Sequence, residues 1–250
     1  MNTSNKINIA EVFGWGPTIQ GEGPNVGMKC IFVRVVGCDF NCEWCDSKFA
    51  WKQDENTLSL EPNELSEKLI KLCKDTNTDS VVLTGGNPCL YDFESVIRDL
   101  HEEGISVDVE TQGSKLPDWL YSVDQLVISP KAPSSKQPDV YNNIHKFLND
   151  EESVSIGYNV AIKIPIFNEE DFQFALRYYK MVEAFLYEGM INIKFYLSVG
   201  NTDTHQEGSI ADRVLKDYEK LIEKVCNSEM KNVYILPQVH TLIWGNKQGV

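Results

Sequence analysis

Short apolar runs alternate with amphipathic segments along most of the chain. The runs are rich in Val and Ile and are bounded by Gly, Pro or polar residues, a pattern typical of buried β-strands. The segments between them repeat apolar residues every three or four positions, which predicts helices. The predicted strands cover residues 31–36, 80–84, 106–111, 125–129, 159–165, 191–198 and 232–236. The predicted helices cover residues 62–74, about 92–103, about 116–121, about 140–148, 169–187 and 210–226.

This alternation predicts an α/β fold with a parallel sheet, either as a barrel or as an open doubly wound sheet. Unusual residues gather just past the predicted strand ends, and parallel βα folds build their sites at that rim. These residues are Cys38, Gly85, Gly86, Glu110, Ser129, Lys131 and Gln238. About six βα units fit, fewer than the eight of a closed barrel. We therefore expect one domain, residues 1–250, with a partial (βα)6-type TIM barrel.

Composition narrows the functional classes. The 37 acidic residues outnumber the 23 basic ones, which disfavours non-specific binding to the phosphates of nucleic acid. No apolar run is long enough to span a bilayer, and the polar opening lacks the layout of a signal peptide. A cytoplasmic location is therefore expected. The seven cysteines should stay reduced there, so a tight group of them indicates metal binding or catalysis.

Such a group lies directly after the strand at 31–36. Cys38, Cys42 and Cys45 are separated by three and then two residues, so one loop can bring them to a single metal centre. A structural zinc site normally uses four protein ligands, whereas a cubane held by three thiolates leaves one iron open. Two alternatives remain, a zinc site completed by a distant Cys or His, and cysteines that are simply packed. The other cysteines, Cys30, Cys73, Cys89 and Cys226, are scattered and are read as core or surface thiols.

The CxxxCxxC run, with an aromatic residue before its last cysteine, resembles the radical S-adenosylmethionine (SAM) superfamily. The resemblance implies a 4Fe-4S cluster whose open iron chelates SAM, and an electron from the cluster that splits SAM into methionine and a 5′-deoxyadenosyl radical. Trp44 would then lie near the adenine. The segment Gly85-Gly-Asn-Pro88 resembles the Gly-Gly-Glu-Pro loop of the superfamily, although Asn87 replaces the usual Glu.

Further motifs resemble one family within this superfamily, the 7-carboxy-7-deazaguanine synthases, from about Glu11 to the C-terminus. They are Thr18-Ile-Gln-Gly-Glu-Gly-Pro24, Phe32-Val-Arg-Val-Val-Gly-Cys38, Cys45-Asp-Ser47, Glu110-Thr-Gln-Gly113, Ser129-Pro-Lys131 and Leu236-Pro-Gln-Val-His-Thr-Leu-Ile-Trp-Gly245. The resemblance implies conversion of 6-carboxy-5,6,7,8-tetrahydropterin to 7-carboxy-7-deazaguanine with loss of ammonia, on the route to queuosine. SAM would be regenerated, and Mg²⁺ would assist.

The resemblance also implies roles for individual residues. Substrate contacts fall on Ile19, Gln20, Gly21, Glu22, Arg34 and Thr84. SAM contacts fall on Trp44, Gly86, Ser129, Lys131 and Gln238. Ser47 matches a magnesium ligand, since hard Mg²⁺ accepts hydroxyl oxygen, and Glu110 could orient substrate or handle a proton. A planar guanidinium at Arg34 could hold the substrate carboxylate, or could instead pair with an acidic side chain of the protein.

Two rival functions stay open. A glycyl-radical enzyme activase shares the cluster motif, but it would not need Gln20, Glu22 and Arg34 for a small carboxylated heterocycle. A non-enzymatic zinc or iron-sulfur adaptor is the alternative from another class. His240 lies beside apolar residues and is read as structural rather than catalytic. Beyond the small-molecule pterin, the expected partners are an electron donor such as flavodoxin or ferredoxin and, from the resemblance alone, a second copy of the chain.

Overall fold

Nine strands form one continuous sheet in the computed structural model, which describes residues 5–16, 18–150, 159–188, 192–201, 210–247 and 249. The strands are β1 (Ile7–Phe13), β2 (Ile31–Val35), β3 (Leu58–Leu60), β4 (Ser80–Gly85), β5 (Ser106–Thr111), β6 (Gln125–Ile128), β7 (Asn159–Ile166), β8 (Asn192–Val199) and β9 (Val233–Leu236). The first residue of the predicted strand at 191–198 lies outside the described residues.

The strand order is β3-β1-β2-β4-β5-β6-β7-β8-β9. From β2 through β9 the neighbours are parallel and follow chain order, so every crossover moves in the same direction. A doubly wound sheet would reverse its order at a switch point. Within the described residues, β9 pairs only with β8, so the barrel stays open. The expected partial barrel is confirmed.

Helices cover the outside of the sheet. They are α1 (Pro62–Thr76), α2 (Glu94–Glu102), α3 (Tyr141–Leu148), α4 (Glu169–Glu188), α5 (Ala211–Cys226) and α6 (Val239–Trp244). The short helix expected near 116–121 is a 3₁₀ turn, Asp118–Ser122, and not an α-helix. Pro117 precedes this turn in an extended conformation, and five residues give too few α-helical hydrogen bonds to offset the cost of nucleation.

Three elements were not predicted from the sequence, namely β1, β3 and the short C-terminal α6. Strand β1 pairs antiparallel with both β2 and β3, and it contains a register shift between Ile9 and Glu11. Strand β3 has only three residues within a polar stretch, which hides it from a periodicity argument. The consequence for the site is direct, because the β1–β2 register places Glu11 opposite Arg34.

Alternation along the strands separates two environments. On β2, β4 and β5 the residues facing the helices, such as Val33, Leu83 and Val109, are fully buried in the main core with Leu69 and Leu100 of the helices. Burying each such side chain is worth roughly 1.5–3 kcal/mol. The opposite face points into the barrel. It carries small apolar clusters low in the barrel and polar residues near the carboxyl ends of the strands.

Candidate active site

A cavity of about 240 Å³ opens at the carboxyl ends of the parallel strands. Every residue that the sequence assigned to the site lines it, from the three cluster cysteines to the residues expected to contact substrate and SAM. The structure therefore brings together segments that lie far apart in the chain. The individual roles of these residues remain predictions.

The cysteine loop is held against the loop after β4 by backbone contact. A Cβ atom on Gly86 would overlap the carbonyl oxygen of Gly37, so only glycine allows this approach. The N–H of Asn87 donates to the same oxygen at 2.8 Å, and the N–H of Gly37 donates to Ala50 at 2.8 Å. The cysteine-bearing loop is thus fixed on both sides.

The three thiols of Cys38, Cys42 and Cys45 are free and face the cavity. Backbone N–H groups of Phe40 and Ser47 donate to the sulfurs of Cys38 and Cys45, each at 3.4 Å. Burial raises the pKa of all three thiols, that of Cys42 to about 11. Loading a metal centre must therefore displace protons from them.

A single ion and a cluster make different demands on these thiols. Among the described residues, no three His, Cys, Asp or Glu side chains are close enough to hold one metal ion. In a cubane each thiolate binds its own iron, so the sulfurs stay apart. Three thiols that face one cavity, two of which receive N–H bonds, fit a 4Fe-4S cluster with one open iron.

Asn87 connects three loops of the rim. Its fully buried amide donates to Asp39 Oδ1 at 3.0 Å and to Ser114 Oγ at 3.1 Å. Its oxygen accepts from the hydroxyl of Thr111 at 2.9 Å and from the N–H of Cys89 at 3.2 Å. The side chain that departs from the superfamily motif therefore has a structural task, which is to tie the cysteine loop to the loops after β4 and β5.

An aromatic wall borders the cysteine loop on the side of β6 and β7. The ring centroids of Trp44 and Phe167 are 4.6 Å apart, and the Trp44 indole donates to Ser134 Oγ at 3.0 Å. Lys131 Nζ lies 5.7 Å from the Trp44 ring centroid and donates to Ser129 Oγ at 3.1 Å. An apolar wall beside a cation is suited to a ligand with both an aromatic base and a carboxylate.

Ser198 adds an unpaired polar group to this cavity. Its hydroxyl is buried, lines the cavity and has no hydrogen-bond partner among the described residues. A buried hydroxyl without a partner is costly, which indicates that a ligand supplies one. The donors and acceptors present therefore fit SAM, which carries an adenine, two ribose hydroxyls, an amine and a carboxylate.

Glu110 is the centre of a hydrogen-bond network on the floor of the cavity. Its carboxylate accepts from the Gln20 amide at 3.1 Å and from the Thr84 hydroxyl at 2.8 Å. The backbone of Gln20 is itself fixed, because it donates to Met28 and accepts from Gly27, both at 2.8 Å. Glu110 is thus held in place as an acceptor.

Arg34 has an acidic partner within the protein. Its Nε donates to Glu11 at 2.8 Å and its Nη1 donates to Ser47 Oγ at 2.9 Å. A guanidinium has five N–H donors, so these bonds leave three, and Arg34 lines the cavity. The structure therefore gives Arg34 the structural pairing that the sequence left open, and it retains donors for a ligand.

Sequence reasoning missed Lys163. It is a lone cation on the inner face of the apolar strand β7, and its ammonium pairs with Glu22. Burial alone would raise the pKa of Glu22, but the charges of Lys163 and His240 outweigh it and lower that pKa to about 2. Burial likewise opposes the charge of Lys163, yet Glu22 raises its pKa. Both groups are therefore ionised, and the signal that singled out Arg34 would also have found Lys163.

His240, which the sequence reads as structural, also lines the cavity. A Cβ atom on Gly21 would overlap its ring, and the N–H of Val239 donates to Gly21 at 3.0 Å. The start of α6 therefore packs directly on the loop that carries Gln20 and Glu22.

Comparisons with known proteins agree with this site. A family model described as a 4Fe-4S single cluster domain matches residues 19–126. The 7-carboxy-7-deazaguanine synthase of Bacillus subtilis is 40% identical over 255 residues, covering 98% of each chain. That of Bacillus cereus is 36% identical over 251 residues, covering 98% of this chain and 99% of the relative.

Solved structures share the fold. QueE from Escherichia coli superposes with a TM-score of 0.63 at 22% identity, covering 96% of this chain and all of that one. SuiB from Streptococcus suis, solved bound to S-adenosylmethionine, has a TM-score of 0.52 at 16% identity, covering 82% of this chain and 46% of that chain.

An open parallel barrel with three cysteines on the loop after its first parallel strand, together with the matching cluster model, defines a radical SAM enzyme that uses a 4Fe-4S cluster and SAM. Within that class, the chain belongs to the 7-carboxy-7-deazaguanine synthase family. The glycyl-radical activase and the adaptor module are not favoured.

Proposed function

We propose that this enzyme converts 6-carboxy-5,6,7,8-tetrahydropterin to 7-carboxy-7-deazaguanine with loss of ammonia. The observation that carries the proposal is one cavity in which the cluster cysteines face Arg34, Glu110 and the Glu22–Lys163 pair. These groups offer separate partners for a carboxylate and for a heterocycle edge with donors and acceptors. When bound, the cluster and SAM supply the radical chemistry that begins the rearrangement.

The cofactor side of the cavity is assigned to the aromatic wall and the rim after β6. Trp44 packs against the adenine, and Gly86 lets backbone groups approach the methionyl amine. Lys131 pairs with the carboxylate of SAM, and Ser129 and Gln238 make polar contacts. The fixed approach of Gly86 to Gly37 supports this assignment, because it places the glycine loop directly beside the cysteine loop.

The substrate side is assigned to the floor. Arg34 holds the pterin carboxylate through the donors that Glu11 and Ser47 leave free. Ile19, Gln20, Gly21 and Thr84 surround the ring, and Glu22 accepts from its N–H groups. Glu110 orients the substrate or takes a proton during loss of ammonia. Its two hydrogen bonds from neutral donors support a carboxylate that is held ready as an acceptor.

Ser47 is proposed as a Mg²⁺ ligand. Its hydroxyl donates to Asp46 Oδ1 at 2.8 Å and accepts from Arg34, so two hard oxygens lie beside the proposed carboxylate clamp. Mg²⁺ is usually bound through one or two protein oxygens, with water and substrate completing its shell. The donor set therefore fits an ion that bridges protein and substrate.

Further proposals concern the setting of the enzyme. We propose a single radical SAM domain, a flavodoxin or ferredoxin as electron donor, a homodimer, and action in the cytoplasm without nucleic acid. The seven cysteines, all within the described residues, form no disulfide, which agrees with a cytoplasmic location, and the net charge of −14 disfavours nucleic-acid binding. No helix within the described part of the chain has the length and apolar character needed to cross a membrane.

The test is anaerobic incubation of reconstituted protein with dithionite, SAM, Mg²⁺ and the carboxytetrahydropterin, followed by mass analysis. We expect 7-carboxy-7-deazaguanine to form in amounts above the amount of SAM consumed, because SAM is regenerated. SAM cleavage without deazaguanine would keep the radical SAM class and contradict the proposed substrate.

A further inference from the structure

The ion pair with Glu22 does not by itself explain why Lys163 lies inside the barrel. Residues paired across parallel strands lie on the same face, and β7 places Lys163 opposite Tyr196, inside the barrel. Its side chain is only 10% exposed and it lines the cavity. Among the described residues, its one hydrogen-bond acceptor is Glu22. An ammonium has three donors, so two are left on a side chain that is little exposed to solvent.

Glu22 also keeps acceptor capacity. Its Oε2 binds Lys163, Gln238 also hydrogen-bonds the carboxylate, and the side chain is 15% exposed at the cavity. A carboxylate offers about four lone-pair sites, so these bonds leave acceptor positions free. The pair therefore presents ionic donors next to ionic acceptors, at a fixed separation. The backbone N–H of Glu22 donates to the Gln20 side chain at 3.2 Å, which restrains the backbone that carries the carboxylate.

We propose that Lys163 is a specificity-determining residue, whose ammonium donates to the C4 oxygen of the pterin while Glu22 accepts from the adjacent N3–H and 2-amino group. This inference rests on the proposed function and deepens it. A 2-amino-4-oxo pyrimidine edge presents one acceptor followed by two donors. The Lys163–Glu22 pair presents the complementary order, one donor followed by an acceptor.

The arrangement selects against a 4-amino heterocycle. An amino group at C4 would direct N–H bonds at the ammonium, and its unprotonated N3 would face the Glu22 carboxylate. Lys163 and Glu22 still pair with each other, but both mismatches leave their remaining buried donors and acceptors without hydrogen-bond partners, and sites that hydrogen-bond a substrate reject such ligands strongly. A Lys163 that only balances the charge of Glu22 would create no such selection.

The experiment measures binding of two stable probes to the reconstituted full-length protein with SAM and Mg²⁺ and without reductant. 6-Carboxypterin keeps the 4-oxo edge and the carboxylate, but it has no hydrogen at C6 to be abstracted. 2,4-Diaminopteridine-6-carboxylate changes only the edge. Equilibrium dialysis at pH 8, where the diamino ring is mostly unprotonated, gives both dissociation constants. We expect wild-type protein to prefer the oxo probe at least tenfold.

Variants assign this preference to Lys163. We expect Lys163→Met to bind the oxo probe at least tenfold more weakly and to lose the preference, and Lys163→Arg to retain part of it. Lys194→Met is the matched control, because Lys194 pairs with Ala161 on the same inner face but does not line the cavity. It should bind both probes within twofold of wild type.

Equal binding of both probes by the wild type would overturn the inference without any variant. So would an unchanged preference in Lys163→Met. If the wild type bound neither probe, the proposed substrate would fail, and this inference with it.

Discussion

Replacement of Asn87 tests how the rim is assembled. In Asn87→Ala, four hydrogen bonds are lost at a position with no exposed surface. The partners left behind include the hydroxyl of Thr111 and the N–H of Cys89, both buried. Asp39, which loses one of its amide donors, directly follows the first cluster cysteine. We therefore expect the substitution to loosen the cysteine loop as well as the fold.

The size of the effect follows from the number of bonds. Each hydrogen bond is worth about 1 kcal/mol net, and buried groups left unpaired cost somewhat more. The free energy of unfolding should therefore fall by on the order of 4 kcal/mol. For a chain of this length, 1 kcal/mol shifts the melting temperature by roughly 2–4 °C. The expected decrease is therefore about 10 °C, with reduced cluster content after reconstitution.

The assay compares thermal unfolding by circular dichroism with iron and sulfide content. Asn142→Ala is the matched control, since Asn142 is exposed on α3, and it should melt within about 2 °C of wild type. Asn87→Asp adds a carboxylate beside Asp39, so its defect should deepen as the pH rises and the new group ionises. An Asn87→Ala variant with wild-type melting and full cluster content would refute this reasoning.

Four further predictions concern single residues. Cys42→Ala should abolish the broad cluster absorption and SAM cleavage, whereas Cys73→Ala should retain both; cleavage by the first variant would contradict the ligand assignment. Ser47→Ala should weaken activation by Mg²⁺ without changing the cluster spectrum, and an unaltered Mg²⁺ titration would leave Ser47 as a turn residue. Arg34→Ala should reduce affinity for 6-carboxypterin by two to four powers of ten, because breaking a buried charge pair on one side costs roughly 3–5 kcal/mol. Arg34→Lys should also bind this probe more weakly. Near-normal affinity with the cluster intact would restrict Arg34 to its pairing within the protein. Burial raises the pKa of Asp108 to about 6, above the ordinary 3.8, so the folded state favours the protonated form and loses stability as the pH rises from 4 to 6. Asp108→Asn should therefore have a higher unfolding free energy than wild type above pH 6, by at most ~3 kcal/mol, and should lose that advantage near pH 4. A variant that is less stable than wild type at pH 7.5 would contradict this prediction.

Most of the fold could be predicted from local pattern. The parallel strands are short β-branched runs, and their alternation with amphipathic helices requires crossovers that cover the sheet. Strand β5 has the predicted bounds, and α1 begins at the predicted Pro62. Strands β1 and β3 could not be predicted this way, because antiparallel pairing at the sheet edge depends on a register that neither segment encodes alone.

The site divides in the same way. Residue type and spacing within one loop were enough to single out the three cysteines, and strand-end positions were enough to place Glu110, Ser129, Lys131 and Gln238 at one rim. The sequence could not show which charged residues pair with each other, since Lys163 and Glu22 are 141 residues apart in the chain.

What the sequence by itself determined is therefore the chemistry available and the side of the sheet on which it lies. Only the tertiary structure decided that Glu11 reaches Arg34, that Asn87 ties the rim loops, and that Lys163 faces Glu22. The physical reason is that hydrophobic periodicity is a local property of the chain. Pairing of buried polar groups depends instead on distances across the interior of the barrel, which strand order and register fix together.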